Sequence, residues 1–304
     1  MTSPNRRQLL LASLSGTSLC ASASSPQQVI YPAPETPQDT RADDLVVLLR
    51  AALERTLATH GPYRLAPASQ FMTLTRVLRE LRPNGLATVG WVSPVIQEYA
   101  QLLPIKVDTR RGLLGLRLLL IKGSRQAEFD RVRTLADLRR FSLGQEVSWP
   151  DARMFEALGI KVVRSTHYRT MFRMLMADRF DAFPRGVNEA FDEQQAHVAE
   201  LPDLAVDKSL LLHFPWPFHF VVGPHNTALA ERLELGLKLL AADGSFDRHL
   251  WDFHGDAVRR AKLRERQLIW LGQGLPEGAQ GKSDLEFWLR APPPKDARPR
   301  SRNG

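Results

Sequence analysis

The chain has 304 residues, 43% of them hydrophobic and 24% charged, which supplies enough apolar material for one large or two medium α/β cores and excludes disorder along its whole length. Its formal net charge of +8 is concentrated at the ends: Arg6 and Arg7 near the start, and six basic against three acidic residues from Lys282 onward. The body between them has no long basic run with interleaved aromatics, so a dedicated nucleic-acid surface is excluded.

Asn5-Arg6-Arg7 precedes an apolar run from Leu9 to Leu19, and Ala21-Ser22-Ala23 closes it with small residues. A basic start, a short apolar stretch and a small-residue cleavage site make residues 1–23 a cleavable export signal. The apolar run is too short to cross a bilayer, and no later stretch reaches about 18 apolar residues. Arg6-Arg7-Gln8-Leu9-Leu10 is similar to a twin-arginine signal, with the general Sec route as the other possibility. The single cysteine, Cys20, lies inside this segment, so the mature chain is expected to be periplasmic and free of disulfides and thiol chemistry. A lipoprotein acylated at Cys20 ranks second, because Leu19 is bulkier than the small residue expected before such a site.

Further along, Val29-Ile30-Tyr31 reads as a strand, followed by a loop held extended by Pro32, Pro34 and Pro37. Asp39 or Thr40 caps a helix whose Leu45, Leu49, Leu53 and Leu57 recur every four residues, and Gly61 ends it. Tyr63 to Leu65 is a strand. Phe71, Leu74, Leu78 and Leu81 mark a helix capped by Ser69 and stopped by Pro83-Asn84-Gly85. Leu86 to Trp91 is a third strand, and Ser93-Pro94 opens a third helix. This alternation predicts a parallel sheet covered by helices. Gly112 to Ile121 is a long apolar strand, with a charged connection from Lys122 to Arg133.

A second α/β set follows. Helices are predicted at Leu135–Phe141, from Pro150-Asp151 to Gly159, around Met171, Leu175 and Met176, and from Gly186 to Ala199. Strands are predicted at Ser142–Trp149, Lys161–Arg164 and Asp181–Pro184. Leu210–Phe214 and Phe218–Val222 are strands around Pro215-Trp216-Pro217. Ala228–Ala242 is an amphipathic helix ended by Asp243-Gly244, and Ser245 caps a last helix holding Leu250, Trp251 and Phe253. From residue 272 Gly, Pro and charge dominate, so a low-order basic tail is expected over 272–304.

Three passages resemble the family 3 periplasmic solute-binding proteins. Thr134-Leu135-Ala136-Asp137-Leu138 leading into Ser142-Leu143-Gly144-Gln145 is similar to that family's passage into its second lobe. Leu175-Met176-Ala177-Asp178-Arg179-Phe180-Asp181-Ala182 resembles its "Gly-Arg-x-Asp-Ala" segment, and Asp243-Gly244-Ser245-Phe246 its C-terminal "Asp-Gly-Thr-Tyr". The likeness runs over most of residues 28–255. It implies the type II periplasmic binding protein fold: two Rossmann-like α/β lobes joined by two crossing hinge strands. Lobe one is then 24–121 plus 211–271, and lobe two, 122–210, is inserted. A ligand would bind in the cleft at strand C-terminal ends, with hinge closure around it. The amino-acid-binding members carry Thr-Pro-Glu-Arg after the third strand, where this chain has Ser93-Pro94-Val95-Ile96. The family's carboxylate-gripping Arg is therefore replaced by Ile96, and its Phe-Ser-x-Pro-Tyr by Leu103 to Val107. The acidic residue expected after Asp181-Ala182 gives way to Arg185-Gly186. The chain is divergent, and ordinary amino-acid recognition is not expected.

Candidate site residues follow from position. Arg185, after a predicted strand and before a helix, would grip a carboxylate or phosphate in two places, or form a rim salt bridge with Glu189. Arg110 and Arg111 precede the hinge strand and would either stand in for the lost Arg or form a solvated charge pair. Trp91 and Trp149 end strands of different lobes and would sandwich a planar or sugar-like ligand, or simply pack in the core. Asp151 and Ser93 are helix caps beside the cleft. Tyr31 and Glu35 occupy a place where the resembled family often contributes. His213, His219, His225, His249 and His254 show no ligand spacing, so no metal is expected, and no nucleotide or cofactor fingerprint occurs. The predicted function is capture of a small polar, possibly anionic, solute by a monomer that presents it to a membrane importer or sensor. The alternatives are a periplasmic lyase or dehydratase on the same scaffold, with Glu189 or Glu35 as acid or base, and a ligand-free signalling module.

Overall fold

The computed structural model describes residues 25–37, 39–94, 97–147, 149–272 and 282–290. The expected export signal, Cys20, the replaced position Ile96, and tail residues 273–281 and 291–304 lie outside the described residues.

The first lobe begins with β1 (Gln27–Ala33), α1 (Asp43–Arg55) and the short α2 (Leu57–His60). Next come β2 (Tyr63–Phe71), α3 (Leu74–Glu80), β3 (Val89–Val92) and β4 (Leu103–Pro104). β1 and β2 run parallel, in register from Gln27 opposite Tyr63 to Tyr31 opposite Pro67. Thr88 ties β1 to the start of β3: its N–H donates to the Ile30 carbonyl at 2.9 Å, and its Oγ1 accepts from the Ile30 N–H at 2.8 Å. The predicted second helix is shorter than its apolar spacing suggests, because β2 continues through Ser69 and Phe71 before α3 starts. The helix expected at Ser93-Pro94 is a turn there, with a 3-10 helix at Gln97–Gln101.

The second lobe opens with β5 (Leu116–Lys122), α4 (Gln126–Phe129), α5 (Leu135–Leu138) and β6 (Ser142–Glu146). It continues through α6 (Asp151–Ala157), β7 (Lys161–Ser165), α7 (Tyr168–Met176), β8 (Phe183–Gly186), α8 (Ala190–His197), β9 (Leu204–Val206) and β10 (Leu210–His213). The chain returns to the first lobe in β11 (His219–Val222), antiparallel to both β3 and β4, then α9 (Thr227–Ala242) and α10 (Ser245–Ala261).

β6 and β7 are parallel, and a bridge from Leu143 to Ala182 links β6 to the segment entering β8. β5 runs antiparallel to β8, β9 and β10. β12 (Gln267–Trp270), a strand absent from the sequence reading, pairs in parallel with β10. β5, β10 and β12, expected almost wholly in lobe one, thus share one sheet with β8 and β9. Arg266 helps fix this placement, with Nη1 donating to the carbonyls of Asp207 and Leu210 at 2.6 and 3.0 Å.

Apolar spacing explains how the first lobe's helices pack. Leu45, Leu48, Leu49, Ala52 and Leu53 of α1 are buried on one face and meet α9, whose Leu229, Leu233, Leu237 and Leu240 are buried in turn. Burying each such leucine contributes about 1.5–3 kcal/mol. Gly236 permits the approach, since a Cβ there would stand 2.2 Å from the Ala52 carbonyl oxygen. Between the lobes two segments cross, Ile105–Gly115 outward and Phe214–Phe218 back. They touch at Gly115, where a Cβ would lie 1.8 Å from the Phe214 carbonyl oxygen and where the Phe214 N–H donates to the Gly115 carbonyl at 3.1 Å.

The tail is not uniformly irregular. α11 (Lys282–Leu289) docks on α10, with Trp288 and Phe287 buried and Trp288 packed edge-on to Trp251 at 5.2 Å. Two large aromatics inside a polar stretch are the sequence signal for this segment, outweighed in the reading by composition.

Candidate functional site

A cleft of about 1070 Å³ lies between the lobes. It sits where β1, β2, β3 and β6 end, which is where open α/β sheets hold ligands. The first lobe's wall includes Tyr31 from β1, Glu35 just beyond it, Phe71 from β2, Trp91 from β3 and the start of α1. Arg110 and Phe218 line the crossing segments, and Val147, Trp149, Pro150 and Arg153 line the second lobe's wall.

Of the ten predicted site residues, Tyr31, Glu35, Trp91, Arg110 and Trp149 line this cleft. The glutamate forms a rim pair with Arg41 at 3.0 Å, and Arg41 also bonds Asp39 at 2.7 Å, lowering the Asp39 carboxyl below the usual carboxylate range. Arg110 is almost wholly buried. Its Nε and Nη2 each donate to the Asp44 carboxylate at 2.6 Å, and Nη2 also reaches the Arg41 carbonyl. His254 Nε2 stands 3.1 Å from the same carboxylate. Burial alone would raise the Asp44 carboxyl, but the hydrogen bonds from His254 and Arg110 outweigh it and hold it well below the usual range. Ser93 is 3% exposed, and its Oγ has no hydrogen-bond partner.

The remaining four residues are placed differently from the sequence reading. Arg111 leaves the cleft: it pairs with Asp247 at 3.2 Å and lies 4.6 Å over the Phe287 ring. Asp151 is buried at the start of α6, where Arg117 Nη2 donates to it at 3.3 Å; burial raises its carboxyl pKa despite that cation. Arg185, 6% exposed, donates from Nε and Nη2 to the two carboxylate oxygens of Glu193, each at 2.6 Å. It also meets Glu189 at 3.1 Å, the rim salt bridge considered as its alternative, though inside the lobe rather than at a rim. Its charge is spent on two carboxylates of the next helix, so it does not present a free fork to the cleft. Glu189 lies between Arg185 and Arg117 and accepts the Gly186 N–H at 3.0 Å. Burial opposes its ionisation, but the two guanidiniums outweigh that and keep it charged.

What Arg185 does is support Trp149. Its guanidinium lies 4.6 Å from the indole centre, and Phe183 stacks at 6.0 Å with the ring planes 9° apart. Sequence reasoning missed Glu193, Asp44 and Arg153. The first two had no signal beyond helical position, while Arg153 follows Trp149 by four residues on the wall already proposed.

No family model matches the sequence, and no curated protein matches it. Solved structures do. An arginine-specific periplasmic binding protein of Salmonella typhimurium is 14% identical, with a TM-score of 0.52 over 75% of this chain and 99% of that one. An amino-acid ABC transporter substrate-binding protein from Streptococcus pneumoniae, bound to L-arginine, is 15% identical, with a TM-score of 0.52 over 76% and 94%. A Bacillus subtilis protein is 14% identical, with a TM-score of 0.50 over 76% and 90%. The chain therefore has the type II periplasmic binding protein fold, as the sequence resemblance implied. Among the described residues no cluster of His, Cys, Asp or Glu is arranged to hold a metal ion, and no helix is long and apolar enough to cross a membrane.

Proposed function

We propose that the protein is an exported solute-binding protein that captures a small molecule between its lobes and delivers it to a membrane importer or sensor. The observation that carries this is the cleft of about 1070 Å³ at the strand ends of a two-lobed fold, crossed by hinge segments that permit closure. The structural neighbours with this fold are substrate-binding proteins, which supports the same reading. Nothing is assigned to nucleic acid, and the working unit is taken as a periplasmic monomer.

The lyase or dehydratase alternative needs a free acid or base. Glu189 is engaged by Arg117, Arg185 and a backbone N–H, and Glu35 by Arg41, so neither stands ready to move a proton. This favours capture without chemistry. For the ligand, the cleft offers paired charges and aromatic walls rather than the family's carboxylate-gripping Arg. Its anionic character rests on Arg153 of the second lobe's wall, since Arg110 is already paired with Asp44.

Thermal-shift screening of the full chain against a broad metabolite library tests the reading. A ligand that raises the melting temperature and is recovered unchanged is the expected result. Turnover of that ligand, lost in Glu189→Gln, would transfer the protein to the enzyme class. No stabilisation by any class of small molecule would end the capture reading.

A further inference from the structure

The cleft's charges sort into those already neutralised and those still available. Glu35 and Asp39 are taken by Arg41, and Arg110 by Asp44. Arg153 of α6 is exposed on the second lobe's wall and makes no ion pair among the described residues. The acid one turn further along its helix, Glu156, is held by Arg164 through two hydrogen bonds of 3.0 and 2.7 Å. Asp43 is the unpaired acid of the lining, and it opens α1, where the helix's own N–H groups favour an anion. The available charge on the second lobe's wall is therefore a cation.

The same wall carries Trp149, four residues before Arg153 and partly exposed to the cleft. Trp149 is held by Phe183, Tyr168 and the Arg185 guanidinium, so little side-chain freedom is lost when a ring stacks on it. A guanidinium against an indole also draws on the ring's negative face, which makes the platform a poor seat for a second cation and a better one for an electron-rich ring. Tyr31, Phe71 and Trp91 on the other wall extend the aromatic lining.

We infer that the ligand is a planar aromatic acid, its ring stacked on Trp149 and its carboxylate paired with Arg153. The inference rests on the solute-capture reading and names the class of solute. It departs from the arginine bound by the structural neighbours, a cation that Arg153 and the Arg185-backed indole would disfavour.

The test uses the full chain with indole-3-acetate and 4-hydroxybenzoate as probes. Their neutral amides, L-tryptophan, L-arginine and glucose serve as comparisons. Melting temperature and quenching of tryptophan fluorescence are followed. At least one aromatic acid should bind at least about tenfold more tightly than its amide. Arg153→Gln, an exposed substitution, should abolish that preference while leaving the melting temperature of the free protein unchanged. Trp149→Leu should weaken acid and amide alike. Equal binding of acid and amide, or an Arg153→Gln variant with full preference for the acid, overturns the inference. Tighter binding of arginine, tryptophan or glucose overturns it while leaving solute capture standing. Silence from every probe and from the wider library removes both.

Discussion

The indole Nε1–H of Trp288 donates to the backbone carbonyl of Arg111 at 2.7 Å, joining the last described helix to the segment that carries the chain from one lobe to the other. The same contact is reinforced by Arg111, whose guanidinium lies over Phe287, and by Asp284, whose side chain abuts Gly112. Gly112 has φ +68°, a left-handed conformation that suits glycine, and Arg111 beside it has φ +44°. α11 thus braces a strained turn at the hinge.

Trp288→Ala should destabilise the protein by about 3–5 kcal/mol, as expected for truncating a fully enclosed large aromatic. Urea unfolding monitored by circular dichroism measures it. A loss below about 1 kcal/mol would show that the helix is not integral to the fold.

Asp108 holds both crossing segments. Its Oδ1 accepts the N–H groups of Arg110 and Phe218 at 3.0 and 3.2 Å, and its Oδ2 accepts that of Gly112 at 2.7 Å. Burial, aided by the nearby Asp284 carboxylate, overcomes these hydrogen bonds and pushes its pKa up to about 7 from an ordinary 3.8. A carboxyl raised in the folded state favours folding while protonated. Its contribution is complete below about pH 4 and is lost as pH rises through about 7. Unfolding midpoints taken from about pH 5 to about pH 8 should therefore fall with pH more steeply in the wild type than in Asp108→Asn. Parallel profiles would count against the assignment.

Asp44→Asn should cost about 3–5 kcal/mol, because Arg110 would remain buried without its carboxylate. The opposite end of the pH scale applies here. The Asp44 carboxyl is held low, so its contribution is present at neutral pH and is lost only in strong acid. A wild type that unfolds in acid while Asp44→Asn shows the same acid sensitivity would contradict this.

Glu193→Gln removes the bidentate partner of Arg185 and the acceptor of the Tyr168 hydroxyl, which donates to Glu193 at 2.7 Å. Because Arg185 keeps Glu189, the expected result is a loss of about 1.5–3 kcal/mol together with a changed near-ultraviolet dichroism of Trp149, whose ring rests on Arg185. An unchanged dichroism would show that the indole is held by Phe183 and Tyr168 alone.

The fold was legible where spacing is regular. The leucines of α1, the helix after Asn226 and the α/β alternation carried it, because packing one face against a sheet imposes a period on the sequence. β12 was not legible: Gln267–Trp270 buries only Ile269, and a strand of that kind has no alternation to detect. In the site, strand-end position was the signal for Tyr31, Trp91 and Trp149, which line the cleft. The same logic placed Arg185 at a strand end but could not foresee that Glu193, two turns into the next stretch of chain, neutralises it. Pairing between side chains on different elements leaves no mark on local sequence. The Arg110–Asp44 pair, 66 residues apart, was invisible for the same reason.

β12 lies at the margin of a sheet whose other strands were all laid down by residue 213. The middle half of the molecule accordingly waits on the chain's far end for its outermost ribbon. While the chain is being made, that half stays incomplete until residue 270 emerges. A chain cut short before that point leaves the outer backbone groups of β10 unpaired, an open strand edge available to other chains.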